Sequence, residues 1–409
     1  MRKLWAISYL FMTVLYFALL LPAPQALAAE PVISAETGLV MDMQSGKVLF
    51  GKDIDREMYP ASTTKILTAI IAIEEAGPDE LVTVSQRASG VEGSAIGLQV
   101  GEQIKMENLL YALMMSSAND AAVAIAEHIA GSVDEFAVMM NQKAREAGAS
   151  NSNFVNPDGL PDPRHYSTAR DLALISRYAM QNQDFRRLVA TSNHEIERNL
   201  PEEMQPQTWL WNHNRLLHQY TGALGVKTGY TVQAGQCLVS AAARDGREML
   251  AVVMKCDGNN HYTDSAILLD YGFENFETRL LVKKGQLIGG VDIPNGTAQV
   301  SLITASDFYY SFPVGSEVKV EQEIVPGEDF SAPVDEREQV AKLVLSAEGS
   351  ELGQVDLVAA RGVDRKRTFH WWHVPLALFA IITLLRIRVL LRRRRRRGKM
   401  YVDPRRFRR

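Results

Sequence analysis

The sequence predicts an α/β domain with one sheet covered by helices, followed by a small all-β domain and a C-terminal membrane helix. Strand-like segments lie at both ends of residues 29–276, with helical segments between them, an order that favours a single covered sheet. Short alternating segments separated by Gly, Pro and Asn fill residues 277–361, and an apolar segment lies at 369–391. A body of this length exceeds what one hydrophobic core usually serves, which favours two domains.

The first 28 residues have the features of an export signal. Arg2 and Lys3 precede an apolar stretch over 4–21, prolines at 22 and 24 interrupt it, and Ala-Leu-Ala follows at 26–28. A small-x-small sequence of this kind is the pattern that signal peptidase recognises. The apolar stretch is long for a signal, so an uncleaved N-terminal anchor is the alternative. We predict cleavage, because the proline break and the cleavage site follow directly.

Charge is distributed very unevenly along the chain. The formal net charge is -4, but residues 30–360 carry 25 basic against 46 acidic side chains, whereas residues 361–409 carry 17 against 2. Phosphate binding needs a basic face, so the acidic body argues against nucleic acid as a partner. The basic tail at 392–409 has a different role.

The segments of the first domain follow from their periodicity. Residues 38–50 predict a hairpin, and 62–76 predict a helix with almost no polar face, which is typical of a helix buried inside a domain. A second helical region over 107–130 is interrupted by polar residues. The remaining predicted segments are a helix at 168–181, strands at 224–231, 236–244 and 248–255, and short strands at 286–293, 299–302, 317–324 and 341–346.

The two cysteines cannot form a disulfide framework. The predicted strands that carry Cys237 and Cys256 meet at the turn pair Asp245-Gly246. This register places Cys237 opposite Met254 and only diagonal to Cys256, which is a poor geometry for a disulfide. We therefore expect two buried free thiols, although a bulge in the hairpin could bring the two cysteines together and reverse this expectation.

Ser62-Thr63-Thr64-Lys65 begins the predicted buried helix. Residues three apart share a helix face, so Lys65 can reach the Ser62 hydroxyl. A serine needs a base to act as a nucleophile, and a lysine among apolar side chains has a lowered pKa and can accept a proton. Alternatively, Ser62 caps the helix and Lys65 extends to water. Taken alone, the motif favours this second interpretation.

Two further motifs favour the catalytic interpretation of Ser62 and Lys65 over the structural one. Ser117-Ala118-Asn119 interrupts the second helical region with a hydroxyl and an amide, although the alternative is a helix break capped by Asn119 or Asp120. Lys227-Thr228-Gly229 lies on a predicted strand, where glycine lets a ligand backbone come close. The alternative there is a strand end with an incidental lysine. Three such motifs in this order on one exported chain are hard to reach by chance.

The order of these motifs resembles the penicillin-recognising serine enzymes, whose S-x-x-K, S-x-N and K-T-G motifs line one cleft. The wider context is similar to the low-molecular-mass D,D-carboxypeptidases. It consists of PASTTK at 60–65, SAND at 117–120, FVNPDGL at 154–160, HYSTARD at 165–171 and GVKTGYT at 225–231. The resemblance extends from about residue 30 to the tail. It implies a β-lactamase/transpeptidase-like domain with an antiparallel sheet, then that family's β domain and anchor.

The resemblance implies a role for each motif residue. Ser62 would attack the carbonyl between the last two D-alanines of a peptidoglycan pentapeptide, with neutral Lys65 as the base. Ser117 would relay the proton to the leaving amine, and Asn119 would hold the peptide. The other implied residues lie on the K-T-G strand: Lys227 and Thr228 at the terminal carboxylate, Gly229 beside them, and the Tyr230 N–H forming an oxyanion hole with the Ser62 N–H.

The same resemblance implies acylation by β-lactam antibiotics and no cofactor. No metal is expected either, because the eight histidines show no ligand spacing such as H-E-x-x-H. The rival functions are a serine β-lactamase of the same fold, which needs an added glutamate for deacylation, and a D,D-endopeptidase. A catalytically inactive wall-binding protein is the alternative outside the enzymes.

The predicted anchor at 369–391 precedes a run of arginines at 392–397. The apolar core of this segment is short for a bilayer span, but arginine side chains can extend to the interface and lengthen it. Trp371 and Trp372 suit the outer interface, and the arginines suit the cytoplasmic side. We therefore predict a membrane protein with an extracytoplasmic body. The alternative is an amphipathic helix lying flat on the outer leaflet, which the scattered apolar positions disfavour.

Overall fold

The computed structural model describes residues 29–204, 206–327, 331–366 and 371–397. The predicted export signal at 1–28 lies outside the described residues, as does the end of the basic tail from residue 398 onward. The chain forms two compact units. The first extends to Leu281 and also includes Phe308–Val318, and the second comprises Val282–Asp307 and the residues from Lys319 onward.

A five-stranded antiparallel sheet forms the middle of the first unit, in the spatial order β2-β1-β9-β8-β7. The strands in chain order are Thr37–Asp42 (β1), Val48–Lys52 (β2), Leu81–Thr83 (β3), Gln103–Lys105 (β4), Asn193–Glu195 (β5), Trp209–Trp211 (β6), Ala223–Thr231 (β7), Gly235–Arg244 (β8), Arg247–Cys256 (β9) and Phe276–Val282 (β10). The predicted hairpin over 38–50 is confirmed as β1 and β2, and the three predicted strands over 224–255 as β7 to β9. Strand β7 lies at one edge of the sheet.

Helices cover both faces of this sheet. They are Lys65–Glu75 (α1), Gln86–Ser89 (α2), Met106–Met115 (α3), Asn119–Ala130 (α4), Val133–Glu146 (α5), Ala169–Ala179 (α6), Gln183–Ala190 (α7), Leu216–Gln219 (α8) and His261–Asn275 (α9). Successive strand residues alternate between two cores: Leu39 packs in the core that contains α1, and Val40 packs in the core that contains α9. The predicted α/β arrangement is confirmed.

Helix α1 is buried, as its sequence predicts. A short 3-10 turn at Ala61–Thr64 leads into it, and every residue of α1 from Lys65 to Ala72 is buried. A helix that is apolar on all sides gains most by lying inside a domain, where each face contacts other apolar side chains. The first turn of α1 is thereby fixed in the interior, close to the edge strand β7.

A bulge interrupts the hairpin formed by β8 and β9. Gln236 pairs with Cys256, whereas Leu238 pairs with Val253, so the register shifts between the two pairs. Both cysteines are nevertheless free and buried. The prediction of two buried thiols is therefore confirmed, and burial raises the pKa of Cys237 to about 11.

The second unit contains a five-stranded antiparallel sheet in the order β11-β12-β16-β15-β14. Its strands are Leu287–Val291 (β11), Val300–Thr304 (β12), Val320–Pro326 (β14), Gln339–Ala347 (β15) and Ser350–Ala359 (β16). Strand β13, Phe308–Pro313, pairs with β10 instead and belongs to the first unit. The predicted all-β character is confirmed.

A single long helix, His373–Arg397 (α10), contains most of the predicted anchor. Its residues 373–395 are long and apolar enough to cross a membrane. The helix continues through the arginine run without a break, and its described side chains up to residue 395 are exposed. The first two residues of the predicted anchor, at 369–370, lie outside the described residues.

Candidate active site

The Ser62 side chain lies on the 3-10 turn that precedes α1. Ser62 is partly exposed, whereas its neighbours Ala61 and Thr63 are buried. The Thr63 hydroxyl donates to the Pro60 carbonyl at 2.6 Å and closes the turn. The turn thus presents one hydroxyl to solvent from an otherwise buried segment.

Lys65 lies directly below this hydroxyl and is completely buried. Its ammonium nitrogen is 3.0 Å from Ser62 Oγ, 2.7 Å from Asn119 Oδ1 and 2.7 Å from the Asp158 carbonyl oxygen. The predicted contact between Ser62 and Lys65 is therefore present. The alternative in which Lys65 extends to water does not occur, because no part of the side chain is exposed.

The chemistry of the three partners determines which of them can give Lys65 a proton. The amide oxygen of Asn119 and the carbonyl of Asp158 can only accept hydrogen bonds, whereas the Ser62 hydroxyl can also donate. A neutral amine keeps two N–H groups and one lone pair. When Lys65 is neutral, its two N–H groups satisfy Asn119 and Asp158, and the lone pair points to Ser62. The site is therefore arranged for transfer of a proton from Ser62 to Lys65.

Burial makes this neutral form accessible. It lowers the pKa of Lys65 to about 8, and the carboxylates of Asp158 and Asp120 oppose the shift. A base with a pKa near the operating pH combines a substantial neutral fraction with adequate basicity. The lowered pKa that the sequence predicts for a lysine among apolar side chains is therefore present at Lys65.

A buried histidine holds the loop that supplies the Asp158 carbonyl. The Val155 N–H donates to His165 Nδ1 at 3.1 Å, and His165 Nε2 lies 2.9 Å from Thr64 Oγ1. Because Nδ1 accepts, Nε2 carries the proton of the neutral ring and donates to Thr64. Burial lowers the pKa of His165 to about 4, so the ring stays neutral. His165 thereby ties the 155–160 loop to the turn that carries Ser62.

The same loop needs a glycine where it meets this turn. Gly159 has a φ of +85°, and a Cβ there would lie 1.9 Å from the Ala61 carbonyl oxygen. Only glycine permits this approach without movement of the backbone. His165, Asp158 and Gly159 belong to the blocks at 154–160 and 165–171 that carry the family resemblance. No feature of the sequence indicates that they position the base and the nucleophile.

The second motif lies between α3 and α4. The Ser117 side chain lines the cleft beside Ser62, and its φ of 58° places the residue in the left-handed region. Asn119 is turned inward: Oδ1 accepts from Lys65, and Nδ2 donates to the Glu92 carbonyl at 2.7 Å. Asp120 accepts from the backbone N–H groups of Ile96 and Leu98. Asn119 thus contacts the base, and Asp120 holds the loop that forms one wall of the cleft.

The third motif lies on the edge strand β7. Thr228, Gly229 and Tyr230 line the cleft opposite Ser62. A Cβ on Gly229 would lie 3.0 Å from the Ser62 backbone nitrogen, so β7 passes directly beside the turn. Lys227 is buried, and its ammonium donates to the Thr228 carbonyl at 3.1 Å. Burial, with the charge of Lys65 as a smaller contribution, lowers the pKa of Lys227 well below its usual value.

The three motifs surround one cleft of about 590 Å³. Its wall also contains residues that no sequence motif indicated. They lie in the loop before β4, in the segment after β6, at the start of β8, and just before and at the start of α9: Ser94, Asn212, His213, Arg215, Gln236, Asn259, His261 and Tyr262. Among the described residues, no group of three His, Cys, Asp or Glu side chains is arranged to hold a metal ion.

Comparison with known proteins identifies two family domains. Residues 24–258 match the D-alanyl-D-alanine carboxypeptidase family, and residues 276–365 match the C-terminal domain of penicillin-binding protein 5. A D-alanyl-D-alanine carboxypeptidase of Bacillus subtilis is 31% identical over 359 residues, which is 84% of this chain and 91% of the relative. One from Mycobacterium tuberculosis is 35% identical over 245 residues, or 58% of this chain and 82% of the relative.

Solved structures agree with this assignment. Penicillin binding protein 5 from Haemophilus influenzae superimposes with a TM-score of 0.71 at 28% identity, covering 83% of this chain and all of that chain. A Streptomyces K15 DD-transpeptidase mutant superimposes with a TM-score of 0.57 at 33% identity, covering 60% of this chain and all of the transpeptidase. On sequence, fold and motif order, the chain belongs to the D-alanyl-D-alanine carboxypeptidase family of low-molecular-mass penicillin-binding proteins.

Proposed function

We propose that this chain removes the terminal D-alanine from peptidoglycan stem pentapeptides through an acyl-enzyme on Ser62. The observation that carries the proposal is the hydrogen-bond set of Lys65. Two partners can only accept, and the third is the Ser62 hydroxyl at 3.0 Å. A nucleophile paired with an activated base is the requirement for acyl transfer to serine.

Acylation proceeds in two proton transfers. Ser62 Oγ attacks the carbonyl carbon between the two D-alanines while its proton passes to neutral Lys65. The oxyanion that forms is stabilised by the backbone N–H groups of Ser62 and Tyr230, which the close approach of β7 to the turn favours. Ser117 then relays the proton from protonated Lys65 to the leaving nitrogen, the C–N bond breaks, D-alanine departs, and Lys65 is neutral again. Water then hydrolyses the ester and regenerates Ser62.

The K-T-G strand is proposed to receive the terminal carboxylate. Thr228 lines the cleft and can donate a hydroxyl hydrogen bond to it. Lys227 lies immediately behind and contributes positive charge whenever it is protonated. The inward orientation of Asn119 favours a role in positioning Lys65; its predicted contact with the substrate peptide remains a prediction.

The composition of the cleft favours a carboxypeptidase over a β-lactamase. Within the described residues, the lining of the cleft contains no aspartate or glutamate. Rapid deacylation in the rival class depends on an added glutamate that activates water. The acyl-enzyme formed with penicillin should therefore persist, which is the behaviour of a penicillin-sensitive enzyme.

Incubation of the full chain in detergent with a D-Ala-D-Ala pentapeptide should release one D-alanine and leave a tetrapeptide, as measured by mass spectrometry. Under the same conditions, benzylpenicillin should add its mass to the protein and remain attached. Fast penicillin turnover without D-alanine release would support the β-lactamase instead. Absence of both would favour the inactive wall-binding protein. Cleavage of cross-linked dimeric peptides in preference to pentapeptide would indicate the endopeptidase.

The C-terminal helix is proposed to anchor the enzyme with its catalytic body outside the cytoplasm. The helix before the arginine run, residues 373–391, is 19 residues long, or roughly 28 Å, which is close to a hydrocarbon core of about 30 Å. Arg386 and Arg388 interrupt the apolar sequence, but their long side chains can reach the interface. The arginine run from 392 then meets anionic lipid on the inner side.

Protease treatment of intact, wall-stripped cells tests this topology. A spanning helix predicts that the acidic body is digested while a tag placed after Arg409 stays protected until the membrane is dissolved. A helix lying flat on the outer leaflet predicts that tag and body are lost at the same rate. An internal control is a cytoplasmic protein, which must survive the treatment.

A further inference from the structure

The charge distribution of the cleft singles out one side chain that belongs to none of the three motifs. Among the described lining residues, the cleft has no carboxylate, two histidines and one arginine, Arg215. Burial lowers the pKa of His261, and partial desolvation at the cleft wall, with a smaller contribution from the charge of Lys227, lowers that of His213, so both rings favour the neutral form. Lys227 is buried behind Thr228 rather than exposed in the cleft. Arg215 is therefore the one permanent positive charge in this part of the structure.

The backbone that carries Arg215 is held by a chain of local hydrogen bonds. Asn212 Oδ1 accepts from the Asn214 N–H at 2.9 Å, and Asn214 Oδ1 accepts from the Leu216 N–H at 3.1 Å. The Tyr262 hydroxyl donates to the His213 carbonyl at 3.0 Å and links the segment to the start of α9. The position of Arg215 at the cleft wall is thus fixed by two different elements of the fold.

The Arg215 guanidinium is free to bind a carboxylate of a ligand. Arg215 is exposed, and within the described residues no carboxylate lies within ion-pair distance of it. By contrast, Arg186, Arg198 and Arg244 in the same unit each pair with a carboxylate. A planar guanidinium with free N–H groups matches the two oxygens of a carboxylate. Among the described residues that line the cleft, no acidic side chain competes for this guanidinium.

We propose that Arg215 is a specificity-determining residue that binds a carboxylate of the substrate inside the cleft. This inference rests on the proposed acyl-transfer function and adds to it the residue that distinguishes acid from neutral substrates. The carboxylate is either the one at the peptide C-terminus or one on a side chain further back in the stem. Either carboxylate would accept hydrogen bonds from the Arg215 guanidinium in the same way.

The first experiment compares two acylating probes on the full chain: benzylpenicillin and its methyl ester, which lacks the negative charge. If Arg215 binds the terminal carboxylate, the second-order rate constant of acylation should fall roughly tenfold to a hundredfold for the acid in Arg215→Gln, while the rate for the ester stays within about twofold. If Arg215 binds a side-chain carboxylate instead, both penicillin rates stay within about twofold of the wild-type values. Arg215→Lys keeps the charge and should recover part of the loss. Arg145→Gln is the matched control, because Arg145 is also exposed but lies on α5 outside the cleft.

The second experiment identifies the source of the carboxylate. Two N-acetylated peptides end in D-Ala-D-Ala and differ only in a glutamyl or glutaminyl residue before that pair. If Arg215 binds the terminal carboxylate, Arg215→Gln lowers kcat/KM for both peptides equally and the penicillin acid-to-ester ratio falls. If Arg215 binds the side-chain carboxylate, only the glutamyl peptide loses kcat/KM.

Two results would overturn the inference. One is an unchanged rate for every probe. The other is an equal loss for penicillin acid and ester together with an equal loss for both peptides, which would mean that Arg215 only supports the fold. Failure of the proposed function is distinct, because the wild-type chain itself would then show neither acylation nor D-alanine release.

Discussion

Replacing Ser62 by alanine is expected to abolish both covalent labelling by penicillin and release of D-alanine. The reason is that the variant lacks the only atom proposed to form the acyl bond, while Lys65 keeps its contacts with Asn119 and Asp158. Removal of the nucleophile from a serine hydrolase typically costs on the order of a millionfold in kcat. Fluorescent penicillin on a denaturing gel and a D-alanine assay measure the two losses.

Ser62 is partly exposed, so the variant should keep its melting temperature and its cooperative unfolding. Ser89→Ala, which removes a hydroxyl on α2 outside the cleft, serves as the control and should label normally. Labelling that persists in folded Ser62→Ala would show that another residue is acylated. A variant that fails to label only because it is unfolded would be recognised by its melting curve.

Replacing Lys65 by methionine should reduce acylation by about 10²-fold to 10⁴-fold, the range in which a general base contributes. Methionine keeps much of the side-chain volume in the buried site but cannot accept the proton. Two acceptors, Asn119 Oδ1 and the Asp158 carbonyl, lose their donor in this variant. Some loss of stability is therefore expected, roughly 1–3 kcal/mol per unsatisfied group.

The pH profile of the wild-type enzyme separates the role of Lys65 as a base from this structural effect. The pKa of Lys65 is lowered to about 8, so its neutral fraction grows as pH rises through that value. The acylation rate should increase about tenfold per pH unit below the pKa and level off above it. A rate that does not change between about pH 6 and about pH 10 would contradict proton transfer to Lys65.

Those parts of the site that depend on local spacing could be predicted from the sequence. Ser62 and Lys65 are three residues apart in a helical turn, so their contact follows from helix geometry alone. The burial of Lys65 follows equally from the apolar residues around it on α1. In both cases the determining information lies within one turn of the chain.

Contacts between distant segments could not be predicted in the same way. Lys65 and Asp158 are 93 residues apart, and a carbonyl oxygen has no signature in a sequence. His165 lies 101 residues from Thr64, and its bond to Thr64 exists only once two loops have packed. Nothing in the sequence distinguishes Arg215 from the other arginines. Its position in a cleft whose described lining has no carboxylate depends on the folded structure.

The same distinction holds for the fold. Strands β8 and β9 are continuous apolar runs, and short turns join β7, β8 and β9, so the order and pairing of these strands follow from the chain. Helix α9 is not among the predicted segments, because Gly272 and the aromatic residues Tyr271 and Phe273 obscure its helical pattern. The assignment of β13 to the first unit depends on pairing with β10, which periodicity does not specify.

The burial of Cys237 and Cys256 beside the bulge between β8 and β9 also determines how the protein responds to oxidants. Both thiols are unlinked and almost entirely in the protonated form, because burial raises the pKa of each. A protonated, inaccessible thiol is a poor nucleophile towards oxidants and alkylating reagents. Folding therefore does not depend on an oxidation step, and the native enzyme should be indifferent to reductant. The rate at which these two cysteines are alkylated should therefore measure how often the sheet opens, since only unfolded molecules expose them.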